Sequence, residues 1–197
     1  WSYRLDGRLV AATHRAGFAG MDKADNGLSP VACGEAAGVV FVSLEHDPAT
    51  FDAGAWLGGA ASELTSFGLE HYHRTEVRTS DRAMNWKLMF DTFGEVYHVE
   101  HLHRNTIHPL IQSNNCAFDT WGPHARLGIA RWAMNDQIDR AREERELLSA
   151  ATVLYYLLPN TLLIQQVDHV ELYQIFPDGP GRSSAVISLY APEKPAT

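Results

Sequence analysis

The apolar run VLYYLLPNTLLIQQV, Val153–Val167, is the densest in the chain, and Pro159-Asn160 cuts it in two. Neither half approaches the roughly 18 residues of a membrane-spanning helix. Each is strand length, and both are rich in residues that suit a pleated surface. The same punctuation continues downstream, where PDGPGR separates Leu162–Phe176 from Ser184–Tyr190. Together with Val153–Leu158 these segments predict antiparallel strands joined by turns.

The upstream chain divides by character. WSYRLDGRLVAA reads as strand, Asp6-Gly7 turn, strand. GFAGMDKADNG is a loop, and GVVFVSLEHD reads as a buried strand of Val and Phe. Residues 1–46 therefore look all-β. DPATFDAGAWLGG has no sustained pattern and reads as a linker that enters a short helix near Trp56–Phe67. HYHRTEVRTS alternates as a strand does. Asn85–Leu102 is the best helix by period, with Met89, Phe93, Val96 and Tyr97 on one side. Tyr97 is expected in the core, its hydroxyl meeting a local acceptor. NDQIDRAREERELLSA predicts a second, charged and solvated helix. The expected class is α+β. A hairpin that opens at residue 1 without lead-in suggests an internal fragment.

Composition removes several functions. The net charge is −8 with no Lys/Arg-rich stripe, which argues against a nucleic-acid partner. No signal-peptide pattern opens the chain. Cys33 and Cys116 lack metal-ligand spacing, so a reduced, cytoplasmic setting with no membrane partner is expected. Ten histidines stand out, and six of them (His71, His73, His98, His101, His103, His108) crowd one stretch.

Within FDTFGEVYHVEHLHRN, Glu95 and His98 share a helix face. His98 and His103 lie about 140° apart around an ideal helix, so they meet at one ion only if the helix breaks between them. Two imidazoles and one carboxylate form the facial triad that holds non-haem Fe(II) with open positions. A di-iron site needs Glu-x-x-His on two facing helices, whereas EVYH and EHLH sit on one segment. An amphipathic helix running into a His-rich turn accounts for the spacing equally well, and a metal-free ligand-binding domain of helix-grip type is the alternative function.

The longer string NWKLMFDTFGEVYHVEHLH, Asn85–His103, resembles the α subunit of Rieske non-haem iron oxygenases, the aromatic-ring-hydroxylating family. That family shows Asn-Trp-Lys, an acid, then Asp/Glu-x-x-His-x-x-x-x-His at these offsets. WSYRLDGRL resembles the segment after the second Cys-x-x-His of a Rieske domain, and GVVFVSL its closing strand. The resemblance implies three parts: 1–46, the C-terminal remnant of an all-β Rieske domain; 47–69, a linker; and 70–197, a helix-grip catalytic domain, incomplete at its C-terminus. It implies His98 and His103 as iron ligands. Glu95 matches the carboxylate that bridges to a cluster-ligand histidine of the neighbouring subunit, where the family more often has Asp. Phe93 and Val99 match substrate-pocket positions, and for Phe93 core packing is an equal reading. Thr92 stands where the family often has Asn. His101 is expected to be exposed or to support the ligands from behind, and His71, His73 and His108 to lie at the surface or in packing roles.

The Rieske cluster ligands and the third iron ligand, an Asp on a late helix, match nothing in the chain. Asp168 is a substitute by chemistry alone, placed in strand-like QQVDHVEL. The implied cofactors are Fe(2+) and, in the intact protein, a Rieske 2Fe–2S cluster. The implied partners are dioxygen, an aromatic or related organic substrate as in aromatic hydrocarbon catabolism, and a ferredoxin and/or reductase. A homotrimer or α3β3 assembly is implied, and the fragment alone is expected to be inactive and to bind iron weakly.

Overall fold

The computed structural model describes residues 1–192. Ser2–Tyr3 (β1) and Leu9–Ala11 (β2) pair antiparallel around the Asp6-Gly7 turn, where Gly7 takes φ 84°. Two 3-10 turns, Arg15–Phe18 and Ala24–Asn26, fill the loop. Ala32–Ala36 (β3), which the sequence pattern does not announce, pairs with Val39–Ser43 (β4). The expectation of a buried strand at β4 is corrected: Val40 and Val42 are 61% and 64% exposed. β4 pairs with β3 in a sheet of two strands, so only one of its faces is covered. On that face Phe41 meets Trp56 with ring centroids 5.3 Å apart.

Asp52 caps Ala53–Leu57 (α1), its carboxylate accepting from the Gly54 and Ala55 N–H groups at 2.9 and 3.0 Å. Gly58 at φ 57° ends that helix, and Ala60–Ser66 (α2) follows. The helix expected near Trp56–Phe67 is thus two. Leu57, Ala60 and Leu64 are fully buried, so the stretch read as linker is packed against the sheet. Burying each leucine contributes roughly 1.5–3 kcal/mol.

The body is one antiparallel sheet. Its strands are His73–Arg82 (β5), Ile111–Trp121 (β6), His124–Arg131 (β7), Ala151–Leu157 (β8), Thr161–Gln165 (β9), Val170–Pro177 (β10) and Ser183–Ala191 (β11). Their order is β5-β11-β10-β9-β8-β7-β6. Between β5 and β6 lie Trp86–Asp91 (α3) and Val99–Leu102 (α4), and Leu147–Ala150 (α5) precedes β8.

The segment Leu162–Phe176, expected as one strand, is two: the chain reverses over residues 166–169, where the Gln166 N–H donates to the His169 carbonyl at 2.9 Å. Residues 135–150 are not a continuous helix. Two 3-10 turns, Trp132–Gln137 and Arg142–Glu144, precede α5. Side chains compete for the backbone there. Gln137 accepts from the Glu146 N–H at 2.7 Å and donates to the Glu146 carbonyl, and Arg145 donates to the Arg140 and Ile138 carbonyls.

Strand alternation splits the core into two layers. Val153, Tyr155, Leu157 and Leu163 face α1 and α2. Leu154, Tyr156, Leu162 and Ile164 face α3 and α4. On the first face Arg126 pairs with Glu63 of α2 and with Asp119, and lies 5.3 Å from the Trp121 ring centroid. That arrangement pins α2 to β6 and β7. Burial, reinforced by the Glu63 carboxylate, pushes the Tyr155 hydroxyl up, so it stays protonated.

His124 holds α1 from the same side. Its Nε2–H donates to the Trp56 carbonyl at 3.0 Å, and its ring meets Trp56 edge-on at 4.2 Å. The residue is 1% exposed. Burial pulls its pKa below 6.5, against the opposing effect of the Trp56 carbonyl. The native state therefore refuses a proton that the unfolded chain takes. Stability from this group is complete above about pH 6.5 and falls as pH drops below that value, by up to about 1.4 kcal/mol per pH unit. Urea midpoints measured at decreasing pH should converge between the wild type and His124→Gln. A constant gap across that range would contradict this account.

Candidate metal centre

Asn85 starts α3. Its side-chain oxygen accepts from the Lys87 N–H at 3.0 Å, and its amide donates to the Pro180 carbonyl at 2.9 Å. The Ser183 hydroxyl donates to the Met84 carbonyl at 3.0 Å, fixing the helix entry to β11. The helix expected over Asn85–Leu102 breaks early. Thr92 Oγ1 donates to the Leu88 carbonyl at 2.8 Å, and the Gly94 N–H donates to the Asp91 carbonyl at 3.0 Å. Thr and Gly are poor interior helix residues, and here they close α3. The break resets the rotation of the chain. Val96 and Val99 enter the core, and Tyr97 is 79% exposed rather than buried.

The turn between the helices is held by Glu95. One carboxylate oxygen accepts from the His98 N–H at 3.0 Å, and the other meets His98 Nδ1. Because a carboxylate accepts, Nδ1 carries a proton, and it is Nε2 that has the lone pair in the neutral ring. Burial raises the Glu95 pKa, but the hydrogen bonds from the His98 ring and backbone and the attraction to the imidazole outweigh it, leaving the carboxyl below its usual range. The His103 N–H closes α4 on the Val99 carbonyl at 3.0 Å. The His98 and His103 rings then lie 5.4 Å apart between centroids, inclined at 70°. Two imidazoles on one ion at bond lengths of about 2.1 Å have centroids roughly 4.5–5.6 Å apart. The observed separation falls within that range, and His98 would offer Nε2 to such an ion.

His101 points elsewhere, its ring centroid 6.1 Å from that of Tyr97. Glu100 is exposed, so of the second Glu-x-x-His string only His103 approaches the first. Phe93 meets Tyr173 edge-to-face at 5.0 Å, and the Tyr173 hydroxyl donates to Glu171 at 2.8 Å. Val99 is buried in the core beneath α4. Asp168 lies in the turn after β9, not in a strand, and its carboxylate accepts from His169 Nδ1 at 2.7 Å. Among the described residues no group of three His, Cys, Asp or Glu side chains forms a full ligand set. His71 is exposed, while His73 and His108 are half-buried.

Sequence reasoning missed Tyr173 with Glu171, and the second face of α3, where Phe90 meets both Trp86 and Tyr156. The i, i+4 spacing of Trp86 and Phe90 was the available signal for the latter.

Residues 69–197 match the ring-hydroxylating α subunit (catalytic domain) family. The chain belongs to that family, an enzyme family of Rieske oxygenases. It is 30% identical over 112 residues to the glycine betaine monooxygenase oxygenase subunit of Pseudomonas aeruginosa (strain UCBPP-PA14), covering 57% of this chain and 25% of that protein. The corresponding subunit of Chromohalobacter salexigens is 31% identical over 125 residues, covering 64% of this chain and 26% of the other. Among solved structures, the quaternary ammonium Rieske monooxygenase CntA with L-carnitine superposes with a TM-score of 0.77 at 18% identity, covering all of this chain and 51% of that one. A naphthalene 1,2-dioxygenase variant bound to phenanthrene gives 0.69 at 12% identity, over 100% of this chain and 52% of that one. At those identities the structures establish the fold alone. The chain spans about half the length of these solved structures and about a quarter of the curated relatives.

Among the described residues no helix is long and apolar enough to cross a membrane.

Proposed function

We propose that the chain is the iron-binding part of a monooxygenase acting on a methylated quaternary ammonium compound, in place of the aromatic substrate class first expected. The observation that carries the metal reading is the approach of His98 and His103 across the broken helix, with Glu95 gripping His98 Nδ1. The substrate reading rests on relatives named for glycine betaine at 30–31% identity. Fe(II), when bound, supplies open positions for dioxygen, and a Rieske cluster supplies electrons through a ferredoxin and/or reductase.

The chain's own residues do the positioning. Glu95 fixes the tautomer and orientation of His98, which raises its basicity as a ligand. Both Glu95 oxygens are engaged by His98, but a carboxylate offers about four lone-pair sites. It retains capacity to accept from a cluster-ligand histidine of a neighbouring subunit in a trimer or α3β3 assembly. Phe93 on Tyr173 and buried Val99 form apolar wall beside the histidines and keep water out. In this reading residues 1–46 end a Rieske domain, 47–69 connect, and 70–197 belong to the catalytic domain. The third iron ligand comes from outside the described residues, and the setting is cytoplasmic.

Insertion of one oxygen into an N-methyl C–H bond, with dioxygen, two electrons and two protons, gives an N-hydroxymethyl group and water. Loss of the hydroxyl proton and cleavage of the C–N bond then release formaldehyde and a tertiary amine. The oxygenase subunit carrying this sequence, assayed with its electron-transfer proteins, should release formaldehyde in proportion to glycine betaine and not to naphthalene. Oxygenation of naphthalene without methyl loss would reject the substrate class.

A further inference from the structure

The sheet face that carries α3 and α4 is apolar through its middle, where Leu154, Leu162, Ile164 and Ile175 lie. Toward the β9–β10 turn it becomes polar, and a row of hydrogen-bonded side chains crosses it from β7 to β10. Arg131 Nη1 donates to Thr152 Oγ1 at 3.1 Å, and Thr152 Oγ1 donates to Gln166 Oε1 at 3.1 Å. The Gln166 amide donates to Glu171 Oε1 at 3.2 Å, and the Tyr173 hydroxyl donates to Glu171 Oε2 at 2.8 Å. Among the described residues Glu171 is the one acid that β7–β10 place on this face.

The row meets solvent through His169, which has a carboxylate at each ring nitrogen. Nδ1 lies 2.7 Å from Asp168 Oδ1, and Nε2 lies 3.7 Å from Glu171 Oε1. A small turn of the ring brings the second pair to hydrogen-bond length. Side-chain exposure falls along this line, from 84% at Asp168 to 36% at His169 and 21% at Glu171. At the inner end the Tyr173 ring packs on Phe93, two residues before Glu95. Burial, then the Glu171 charge and hydrogen bond, push the Tyr173 hydroxyl up, so it keeps its proton. The His169 hydrogen bond holds Asp168 below its usual range, so the outer carboxylate stays ionised.

We propose that Asp168, His169, Glu171 and Tyr173 form a proton path from solvent to the wall beside the histidine pair. Its task rests on the reaction proposed above, which consumes two protons behind a wall that excludes water. His169, held by Asp168, takes a proton from solvent and passes the one on Nε2 to Glu171 Oε1. Glu171 then gives a proton from Oε2 to the Tyr173 oxygen as Tyr173 releases its own toward the oxygen atom that leaves as water. Each passage moves one proton inward, returns every side chain to its starting charge and transfers no electron. Arg131 reaches Glu171 only through Thr152 and Gln166, so it orients the row without carrying a proton.

Two measurements test the path. The first needs no turnover. In the folded chain, the His169 ring nitrogens and the Glu171 side-chain carbon, followed by NMR across pH, should each register the other's titration. Glu171→Gln should remove that second feature from the His169 trace. The second uses the intact oxygenase subunit with its electron-transfer proteins and glycine betaine. Glu171→Gln and Tyr173→Phe should each lower kcat about tenfold or more with KM little changed, and divert consumed dioxygen to hydrogen peroxide. Glu171→Asp should recover part of the loss. Turnover by His169→Ala should rise with phosphate concentration at fixed pH and ionic strength, a response that a structural histidine would not give. Independent titration of His169 and Glu171 overturns the path whatever the substrate. Wild-type turnover in Glu171→Gln, or indifference of His169→Ala to phosphate, overturns it too. Linked titrations with no formaldehyde from the wild type reject the substrate class proposed above and uphold the His169–Glu171 proton contact.

Discussion

Alanine at both His98 and His103 is expected to leave no Fe(II) binding above background in anaerobic equilibrium titrations, with the far-ultraviolet circular dichroism unchanged. The effect is large because these side chains are the two proposed ligands, with ring centroids 5.4 Å apart. Even a partner that merely orients a metal-bound histidine changes affinity by about 10–100-fold when removed. Glu95→Gln is such a change, and it should fall in that range. The amide still accepts from the His98 backbone but no longer favours the protonated Nδ1. His101→Ala is the control, because its ring turns toward Tyr97 and away from the pair. Iron binding that persists in the double variant, or vanishes with His101→Ala, removes the metal centre from this position. A folded backbone is the expected background, since α4 is anchored by Val96 and Val99 rather than by its histidines.

Gly38→Ala is expected to destabilise the chain by about 2–4 kcal/mol. Two costs combine. Gly38 sits at φ 72° in the β3–β4 turn, where a side chain costs about 1–2 kcal/mol. A Cβ there would stand 2.5 Å from the Glu70 nitrogen and 2.9 Å from the Leu69 carbonyl carbon. Those are backbone atoms, so no rotamer change relieves the clash, and the hairpin must lift from the chain that leads into β5. Gly179 separates the two costs. It takes φ 78° with nothing within 4 Å of a Cβ, so Gly179→Ala should show only the conformational part. Urea denaturation of both variants gives the comparison. Hydrogen exchange should show protection lost first in β3 and β4. Equal destabilisation by the two substitutions would mean that the hairpin contact contributes nothing.

The β-rich half of this fold was legible because alternation and turn residues are local signals. β8 and β11 followed from apolar runs bounded by Pro, Gly, Asn and Asp, and the β1–β2 hairpin from Asp6-Gly7. β6 and β7 were not legible, because neither carries a clean period: β6 is the mostly exposed edge strand, and β7, inside the sheet, mixes buried and half-buried residues without alternation. The single helix over 85–102 was a reasonable reading of periodicity that tertiary packing overrode. Met89, Phe93 and Val96 do share a stripe, but the core under α4 takes Val96 and Val99, and Tyr97 is turned outward.

The sequence by itself determined which side chains are candidate ligands. Glu95, His98 and His103 at those offsets, after Asn85-Trp86-Lys87, were readable without coordinates, as was the need for a break in the helix. Only the tertiary structure decided where the break falls, that His103 rather than His101 turns toward His98, and that Asp168 belongs to a turn. It also decided that Tyr173 meets Glu171 beside Phe93. The physical reason is one of range. Spacing along a chain fixes which side chains share a face of a regular element, whereas burial of Val96 and Val99 against strands far away in sequence fixes how the irregular turn between them is wound.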